Sequence, residues 1–290
     1  MLILCLIQII AHLFIIHQPP PFNYSLSSRT TLISAMPKRG ASAANKTVSS
    51  KKYSRPGVEA AVHLLSLPIS SERWSKILDR YKDMLKKKGG KTLCDLDERR
   101  ARLADSLNDN KCITKTDLID VIIPWKFAKG KPRHALKPLL NSNTDKSVEN
   151  SSRRAIEIAA SAITKPQNIQ REQIKEAITT LCSLNGVGPA TASAILSIFH
   201  PSLFAFMDDE IIEALYDGKR GYTFKIYEMV NEKCEEICTQ LNTNGDKAWV
   251  RCEVGMSLWT VAAMKAFGED DMLSELLKED EADSSKRRKK

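Results

Sequence analysis

The stretch Leu184-Asn185-Gly186-Val187-Gly188-Pro189-Ala190-Thr191-Ala192 places a turn bounded by two glycines directly before a run of small residues. Each glycine can adopt φ > 0 and has no side chain, so a phosphate can approach the backbone closely. Unpaired N–H groups at the start of the following helix suit the same anion. Pro189 fits the first helical position, where its missing N–H costs nothing. The stretch therefore predicts two helices joined by a phosphate-binding hairpin, with contacts at Gly186, Val187, Gly188, Ala190 and Thr191.

The alternative for this stretch is a tight αα-hairpin that turns the chain and binds nothing. Both interpretations predict helices on either side. From residue 58 to residue 268 apolar residues recur at spacings of three and four, and no sustained alternation marks a strand. The sequence therefore predicts one all-α domain over residues 58–268, with breaks at glycines and prolines such as Gly89-Gly90 and Pro166.

The positive charge of the chain lies mostly outside this domain. Of the net charge of +9, residues 1–57 carry +7 with no acid, residues 269–290 carry −2, and the region between them carries +4. We expect residues 1–57 to be an apolar leader followed by a disordered basic segment, and residues 269–290 to be a disordered tail. The terminal run Ser285-Lys286-Arg287-Arg288-Lys289-Lys290 is typical of a nuclear import signal or a nucleic-acid-binding arm, or it is only a solvated charge run.

The opening residues 1–17 are apolar, but they lack a basic start and are short for a membrane span. We therefore expect no membrane partner. Met36-Pro37-Lys38-Arg39 opens the basic segment, and we hypothesise that Met36 is the physiological start and that residues 1–35 are an upstream extension. The seven cysteines have no framework spacing, which favours reduced thiols. Cys234, Cys238 and Cys252 are interpreted as helix packing residues, and no metal or other cofactor is expected.

Downstream of the hairpin, Phe206-Met207-Asp208-Asp209-Glu210 brings three acids together at the start of a predicted helix. In the ordinary interpretation Asp208 is the N-cap, and the helix dipole favours Asp209 and Glu210 in the first turn. In the functional interpretation one carboxylate faces a cleft beside the hairpin, where it stabilises positive charge on a sugar or activates water. The acids by themselves leave both interpretations open.

Together the hairpin and Asp209 resemble the helix-hairpin-helix superfamily of DNA glycosylases, in which an L-x-G-V/I-G hairpin precedes an essential aspartate by a little over twenty residues. Asp209 lies 23 residues after Gly186. Four segments between about residues 72 and 265 resemble the Amun-like family of DNA glycosylase-like proteins more specifically. These segments are IPWKFAKGKPR at 123–133, LNGVGPATAS at 184–193, FMDDE at 206–210 and YTFK at 222–225.

The resemblance implies a nuclear, two-lobed all-α domain whose cleft receives a base flipped out of duplex DNA and cleaves its N-glycosidic bond. Asp209 is then the catalytic carboxylate, which stabilises the oxocarbenium-like sugar and orients water. Trp125, Tyr222 and Trp259 are the candidates for the base pocket. For a single Trp on an amphipathic helix, the ordinary alternative is a place in the core.

Two positions depart from the family pattern. Glycosylases that also cut the strand carry a nucleophilic lysine two residues beyond the second glycine of the hairpin, and Ala190 stands there. Schiff-base chemistry needs an amine, so we expect no lyase step. Asp208 stands where the family more often has serine. This extra carboxylate either raises a neighbouring pKa through like-charge repulsion or only alters the cap.

The hairpin has few cations near it in the sequence. No Lys or Arg lies between Lys175 and Lys219, whereas six acids do. Residues 121–144 contain no acid, and we expect their cations to form a phosphate track. The alternative is a solvated helix end whose cations complement the helix dipole. The cations of the expected track are Lys126, Lys129, Lys131, Arg133 and Lys137.

The sequence thus favours a monomeric, nuclear, N-glycosylase-like protein that acts on double-stranded DNA without a cofactor and without lyase activity. The first alternative is a catalytically silent DNA- or chromatin-binding module that uses the same hairpin. The second alternative is a protein-interaction adaptor, which the acidic surroundings of the hairpin favour and the basic tails oppose.

Overall fold

Every regular element that the structure describes is a helix, which confirms the predicted all-α class. The structure is a computed structural model that describes residues 55–105, 112–243, 245 and 247–278. The expected apolar leader, the candidate start at Met36 and the terminal basic run lie outside the described residues.

The helices are, in chain order, α1 (Pro56–Ser66), α2 (Ser71–Asp79), α3 (Tyr81–Arg102), α4 (Ile123–Lys129), α5 (Lys137–Asn141), α6 (Asp145–Ala162), α7 (Gln167–Cys182), α8 (Pro189–Phe199), α9 (Asp209–Leu215), α10 (Phe224–Thr243), α11 (Arg251–Ala266) and α12 (Asp270–Leu276). A short turn at Lys115–Asp117 and a π-helical segment at Leu118–Ile122 lead directly into α4. A 3₁₀ turn at His134–Leu136 precedes α5.

Several helix starts follow from local sequence signals. The Ser70 side chain accepts a hydrogen bond from the Arg73 amide and caps α2, and Thr144 caps α6 in the same way through the Ser147 amide. Pro189 is the first residue of α8, as predicted. The predicted break at Gly89-Gly90 is a kink within α3, because Gly90 has φ 61° and ψ −155° and the helix continues on both sides.

Helix α11 forms the centre of the core. It is buried along most of its length and packs against α1, α2, α3, α9, α10 and α12. Gly57 of α1 lies against the carbonyl of Ala262, where a Cβ would approach the oxygen to 2.5 Å. Cys234 and Cys252 are buried in this core and Cys238 is half-buried, which confirms that they are packing residues.

Contacts with the helical core extend beyond residues 58–268 at both ends. Helix α12 falls within the expected tail, and its Leu273 and the following Leu277 are buried against the core. At the other end, Arg55 lies within the expected basic N-terminal segment, and its side chain binds Glu213 of α9. Apolar contacts in one case and an ion pair in the other therefore join these residues to the core.

The described helices belong to one compact unit, and its division into two lobes stays a prediction. Helices α6 and α7 pack against each other along their lengths, and α8 contacts both. Within the described residues, none of the helices has the length and apolar character needed to cross a membrane.

Candidate functional site

The hairpin between α7 and α8 has two glycines with different roles. Gly186 has φ 75°, and a Cβ there would lie 3.0 Å from Leu140 Cγ and 3.2 Å from the Leu140 amide nitrogen. Gly188 has φ −111°, a conformation open to any residue, so the expectation of positive φ holds only for Gly186. A Cβ at Gly188 would meet nothing within 4 Å, so its missing side chain leaves open space on the outer side of the hairpin.

Asn143 fixes the hairpin to the rest of the molecule. Its side-chain carbonyl accepts the Asn185 amide at 2.9 Å, and its side-chain NH₂ donates to the Asn185 carbonyl at 2.9 Å. The same NH₂ group also donates to the Leu140 carbonyl at 3.0 Å. Asn143 is 6% exposed, so these bonds are made away from water. Sequence reasoning missed this residue, because an Asn that follows a helix is an ordinary turn residue.

The hairpin contains both paired and unpaired backbone amides. The Gly188 carbonyl accepts the Thr191 and Ala192 amides at 2.9 Å, which closes the first turn of α8. Among the described residues, the amides of Gly186, Gly188 and Ala190 have no hydrogen-bond acceptor. A helix start with unpaired amides favours an anion.

A cavity of about 460 Å³ lies in front of the hairpin and joins most of the predicted site. Its wall combines the hairpin, residues 126–133 at the end of α4 and after it, the start of α9 and Tyr222. The volume is within the range of small-molecule pockets. The predicted residues that line it are Gly186, Val187, Gly188, Ala190, Thr191, Lys126, Lys131, Arg133, Asp209 and Tyr222.

Lys129 is not part of this wall. It is 1% exposed, and its ammonium donates to Asp208 Oδ2 in a buried ion pair. Burial raises the pKa of Asp208, but the Lys129 charge and hydrogen bond outweigh it and hold that pKa below its usual value. Lys129 therefore cannot reach a phosphate without breaking the pair, and its assignment to the phosphate track was wrong.

Trp125 and Trp259 were also wrongly assigned to a base pocket. Each is 1% exposed, so neither offers a ring face to a ligand. The Lys129 ammonium lies 4.2 Å from the Trp259 ring centroid, and the Arg100 guanidinium lies 4.1 Å from that of Trp125. Because both rings are buried in this way, the core interpretation of both residues is the correct one.

Asp208 caps α9, as the ordinary interpretation of the acids predicts. Its Oδ1 accepts the Asp209 amide at 2.9 Å while its Oδ2 binds Lys129. Asp208 also affects its neighbour Glu210: burial and the nearby Asp208 carboxylate raise the pKa of Glu210 to about 7. The extra carboxylate at position 208 therefore both caps α9 and raises a neighbouring pKa.

Asp209 lines the cavity and has a partner on each oxygen. Tyr222 Oη donates to Oδ1 at 2.6 Å, and Arg220 Nη1 lies 3.5 Å from Oδ2. Burial and the bond to Asp209 raise the pKa of Tyr222 to about 12, so the phenol stays a proton donor at neutral pH. The Arg133 guanidinium lies 4.5 Å from the centroid of the Tyr222 ring.

A second carboxylate, Glu213, stands one turn after Asp209 and is 4% exposed. Arg55 Nη2 binds its Oε2 at 2.7 Å, and Arg220 binds its other oxygen. Arg220 therefore bridges Glu213 and Asp209 and holds the first turns of α9 in place. Sequence reasoning missed both arginines, although Arg220 lies directly after the long interval without cations.

One cavity is therefore lined by residues with unpaired amides, by cations and by the Asp209 carboxylate. Of the other cations of the expected track, Lys126, Lys131 and Arg133 line the same cavity as the hairpin residues, whereas Lys137 lines a different cavity. Within the described ranges no cluster of three or more His, Cys, Asp or Glu residues could hold a metal ion. A search against protein-family models, curated proteins and solved structures finds no match for this chain.

Proposed function

We propose that this protein is a nuclear, monomeric, helix-hairpin-helix N-glycosylase-like protein that acts on double-stranded DNA with Asp209 as its catalytic carboxylate. The observation that carries the proposal is that one cavity is lined both by the hairpin residues whose amides are unpaired and by Asp209. The amides and the cations Lys131 and Arg133 bind phosphates on either side of the target nucleotide. Asp209 then stabilises the positive sugar as the base leaves, and water completes the hydrolysis.

The cavity supports this role by its size and by its partners. A volume of about 460 Å³ accommodates a nucleoside with part of its backbone. Tyr222 presents a half-buried aromatic ring at the wall, and its hydroxyl orients Asp209 through the 2.6 Å bond. Arg133 over the same ring keeps the ring in position. Of the three aromatic candidates, only Tyr222 keeps the role of contacting the extruded base.

The experiment is base release from duplex oligonucleotides that each contain one modified base, read out by alkaline cleavage of the abasic product. We expect the protein to release the modified base from one or more of these duplexes, so that alkali then cleaves the strand at the abasic site. Asp209→Asn keeps the size of the side chain and an oxygen that accepts from Tyr222, so it should abolish release and leave DNA affinity unchanged. Asp271→Asn, at an exposed position on α12, is the matched control and should not alter release. Unchanged turnover in Asp209→Asn would reject the catalytic assignment.

One observation favours the alternative of a catalytically silent DNA-binding module. Both oxygens of Asp209 already have partners, Tyr222 and Arg220, and a carboxylate held in this way needs no substrate to satisfy it. Such a module binds duplex DNA with a negative dependence of log affinity on log salt and releases no base from any duplex. If the protein has no salt-dependent affinity for DNA or RNA, the adaptor alternative remains instead.

A further inference from the structure

A row of alternating charges leads from the start of α1 to Asp209. Arg55, which precedes α1, donates through Nε and Nη2 to Glu213 Oε2, at 3.0 and 2.7 Å. Arg220 donates to the other oxygen of Glu213, and its Nη1 lies 3.5 Å from Asp209 Oδ2. Arg55 does not line the cavity. Its influence on Asp209 therefore passes through Glu213 and Arg220.

Glu213 is the junction of this row. Its side chain is buried, and one arginine lies on each of its oxygens. A carboxylate buried in this way needs nearby cations to offset its lost hydration. Without Arg55, one Glu213 oxygen loses its donor and Arg220 remains as the cation on this carboxylate. Glu213 then competes more strongly with Asp209 for Arg220.

The packing of α1 holds Arg55 in place. The Arg55 carbonyl accepts the Val58 amide at 3.0 Å, and Arg55 is the N-cap residue of α1. Helix α1 packs against α9 and α11, and Gly57 lies directly on the backbone of Ala262. Arg55 Nη1 also lies 3.3 Å from Glu210 Oε1. The core therefore fixes where the Arg55 guanidinium meets α9.

The Asp209 carboxylate is held from two sides. Tyr222 Oη binds Oδ1 at 2.6 Å, and the longer contact with Arg220 turns Oδ2. Rotation about the last bond of an aspartate side chain meets only a broad energy well, so the contacts of the two oxygens set its orientation. Misplacement of a reacting group by about 1 Å can cost about a hundredfold in rate. The position of Arg220 is therefore important for any chemistry at Asp209.

We propose that Arg55 is a positioning residue for Asp209: by binding Glu213 it keeps Arg220 beside Asp209 and so orients the Asp209 carboxylate in the cavity. This inference rests on the proposed function, in which that carboxylate stabilises the positive sugar. Because Arg55 acts through Glu213, the effects of changing these two residues should be coupled. Once Glu213 carries no charge, removal of Arg55 should add little.

The first test is the single-turnover rate of base release by the full-length protein, with its affinity for the same duplex measured in parallel. Arg55→Gln should lower the rate about tenfold while the dissociation constant stays within about twofold of the wild type. Arg55→Lys should restore the rate to within about threefold, because both Arg55 nitrogens bind one oxygen and a single ammonium can replace them. In the Glu213→Gln background, Arg55→Gln should lower the rate by less than about twofold. Arg102→Gln, which removes an exposed arginine paired with Glu98, is the matched control and should behave as the wild type.

The second test follows the orientation of Asp209 without any reaction. The ring resonances of Tyr222 are recorded by NMR in tyrosine-labelled protein without DNA, and Tyr222→Phe assigns them. Because the Tyr222 hydroxyl donates to Asp209 Oδ1, these resonances change when the carboxylate turns. Arg55→Gln should shift them, Arg55→Lys should return them toward the wild-type positions, and Arg102→Gln should leave them unchanged.

The outcomes separate this inference from the proposed function. An undiminished rate in Arg55→Gln, an equal loss in Arg55→Lys, or an equal effect of Arg55→Gln with and without the Glu213 charge overturns the positioning role, and base release by the wild type still supports the proposed function. If the wild type releases no base from any modified duplex, the proposed function fails and the Tyr222 resonances decide the inference. Unshifted resonances in Arg55→Gln then overturn it. Melting temperatures well above the assay temperature show that the variants are folded.

Discussion

Asn143 binds both backbone polar groups of Asn185, at 2.9 Å each, and so ties the hairpin to the segment that follows α5. The pair acts like a short stretch of sheet pairing made by a side chain. Because Asn143 also holds the Leu140 carbonyl, one side chain fixes three backbone groups of two segments. The position of the hairpin relative to residues 126–133 therefore depends on Asn143.

Asn143→Ala should destabilise the protein and weaken its binding to DNA. The substitution leaves the Asn185 amide and carbonyl without their partner in a buried place, which costs about 1 to 3 kcal/mol. Chemical denaturation measures the free energy of unfolding, and hydrogen exchange at the Asn185 amide reports the local opening. Asn150→Ala, at an exposed position on α6, is the control and should have little effect. Equal stabilities of the two variants would mean that the hairpin is held by other contacts.

The turn at Gly186 and the helix that begins at Asp209 could be predicted from the sequence, because both depend on local signals. Two glycines, a proline at the first helical position and the 23 residues between Gly186 and Asp209 are readable without tertiary structure. The same local reasoning fails for Lys129, which looks like a solvated cation at a helix end. Its partner Asp208 is 79 residues away, and no periodicity shows a contact at that distance. Asn143 and Arg55 escaped for the same reason.

The aromatic candidates show the same limit. Trp125, Tyr222 and Trp259 are equivalent as sequence letters, yet only Tyr222 lies on the cavity. Trp125 is turned inward to donate to Asp97 at 2.7 Å, an interaction that joins α4 to the second half of α3. Which of several aromatic rings faces a cavity is decided by packing between helices distant in sequence. For a single chain, residue type therefore identified candidates but could not choose among them.

Gly186→Ala and Gly188→Ala should separate strain from ligand access. At Gly186 the positive φ and the contacts with Leu140 at 3.0 to 3.2 Å predict a loss of about 1 to 2 kcal/mol in stability. At Gly188 the backbone is extended and the added methyl meets open space, so the loss should be below about 1 kcal/mol, mostly from the weaker N-cap. Thermal denaturation and DNA affinity are measured for both. If the methyl at position 188 leaves affinity unaltered, the outer side of the hairpin is not where phosphate binds.

Breaking the buried pair between Lys129 and Asp208 should be more costly than either glycine change. Lys129→Met leaves the Asp208 carboxylate buried without its cation, and Asp208→Asn leaves the ammonium without its anion, each at about 3 to 5 kcal/mol. The double variant should lose less than the sum of the single losses, since no charge is then left unpaired. Urea unfolding of the four proteins provides the cycle. Additive losses would show that the two residues do not interact.

Glu210 should make stability fall as pH rises. Its pKa is raised to about 7 in the folded protein from an ordinary value of 4.5, so the folded state binds more protons than the unfolded state between these values. The contribution of Glu210 to the free energy of unfolding is then greatest below about pH 4.5 and is lost as pH rises through about 7, by at most about 3 kcal/mol. Its Oε2 is buried without a hydrogen-bond partner, in keeping with this cost of ionisation.

The variant that isolates this effect is Glu210→Gln, which cannot ionise. The difference between its free energy of unfolding and that of the wild type should grow in favour of the variant from pH 5 to pH 8. Glu157→Gln, at an exposed position on α6, serves as the control and should show no such trend. A constant difference for Glu210→Gln across this range would contradict the raised pKa.

Salt dependence should distinguish the cations that bind DNA from those that only stabilise the fold. Lys131 is exposed on the cavity wall, so Lys131→Ala should remove about one phosphate contact and reduce the slope of log affinity against log salt by about 1. Arg133→Ala should lower the slope similarly and also loosen Tyr222, whose ring it covers. Lys233→Ala removes an exposed cation that does not line the cavity and is paired with Glu236, so its slope should match the wild type. The measurement is fluorescence anisotropy of a labelled duplex at several salt concentrations. A slope that is the same in all four proteins would place the DNA on another surface, since a phosphate track must contribute counterion release wherever it lies.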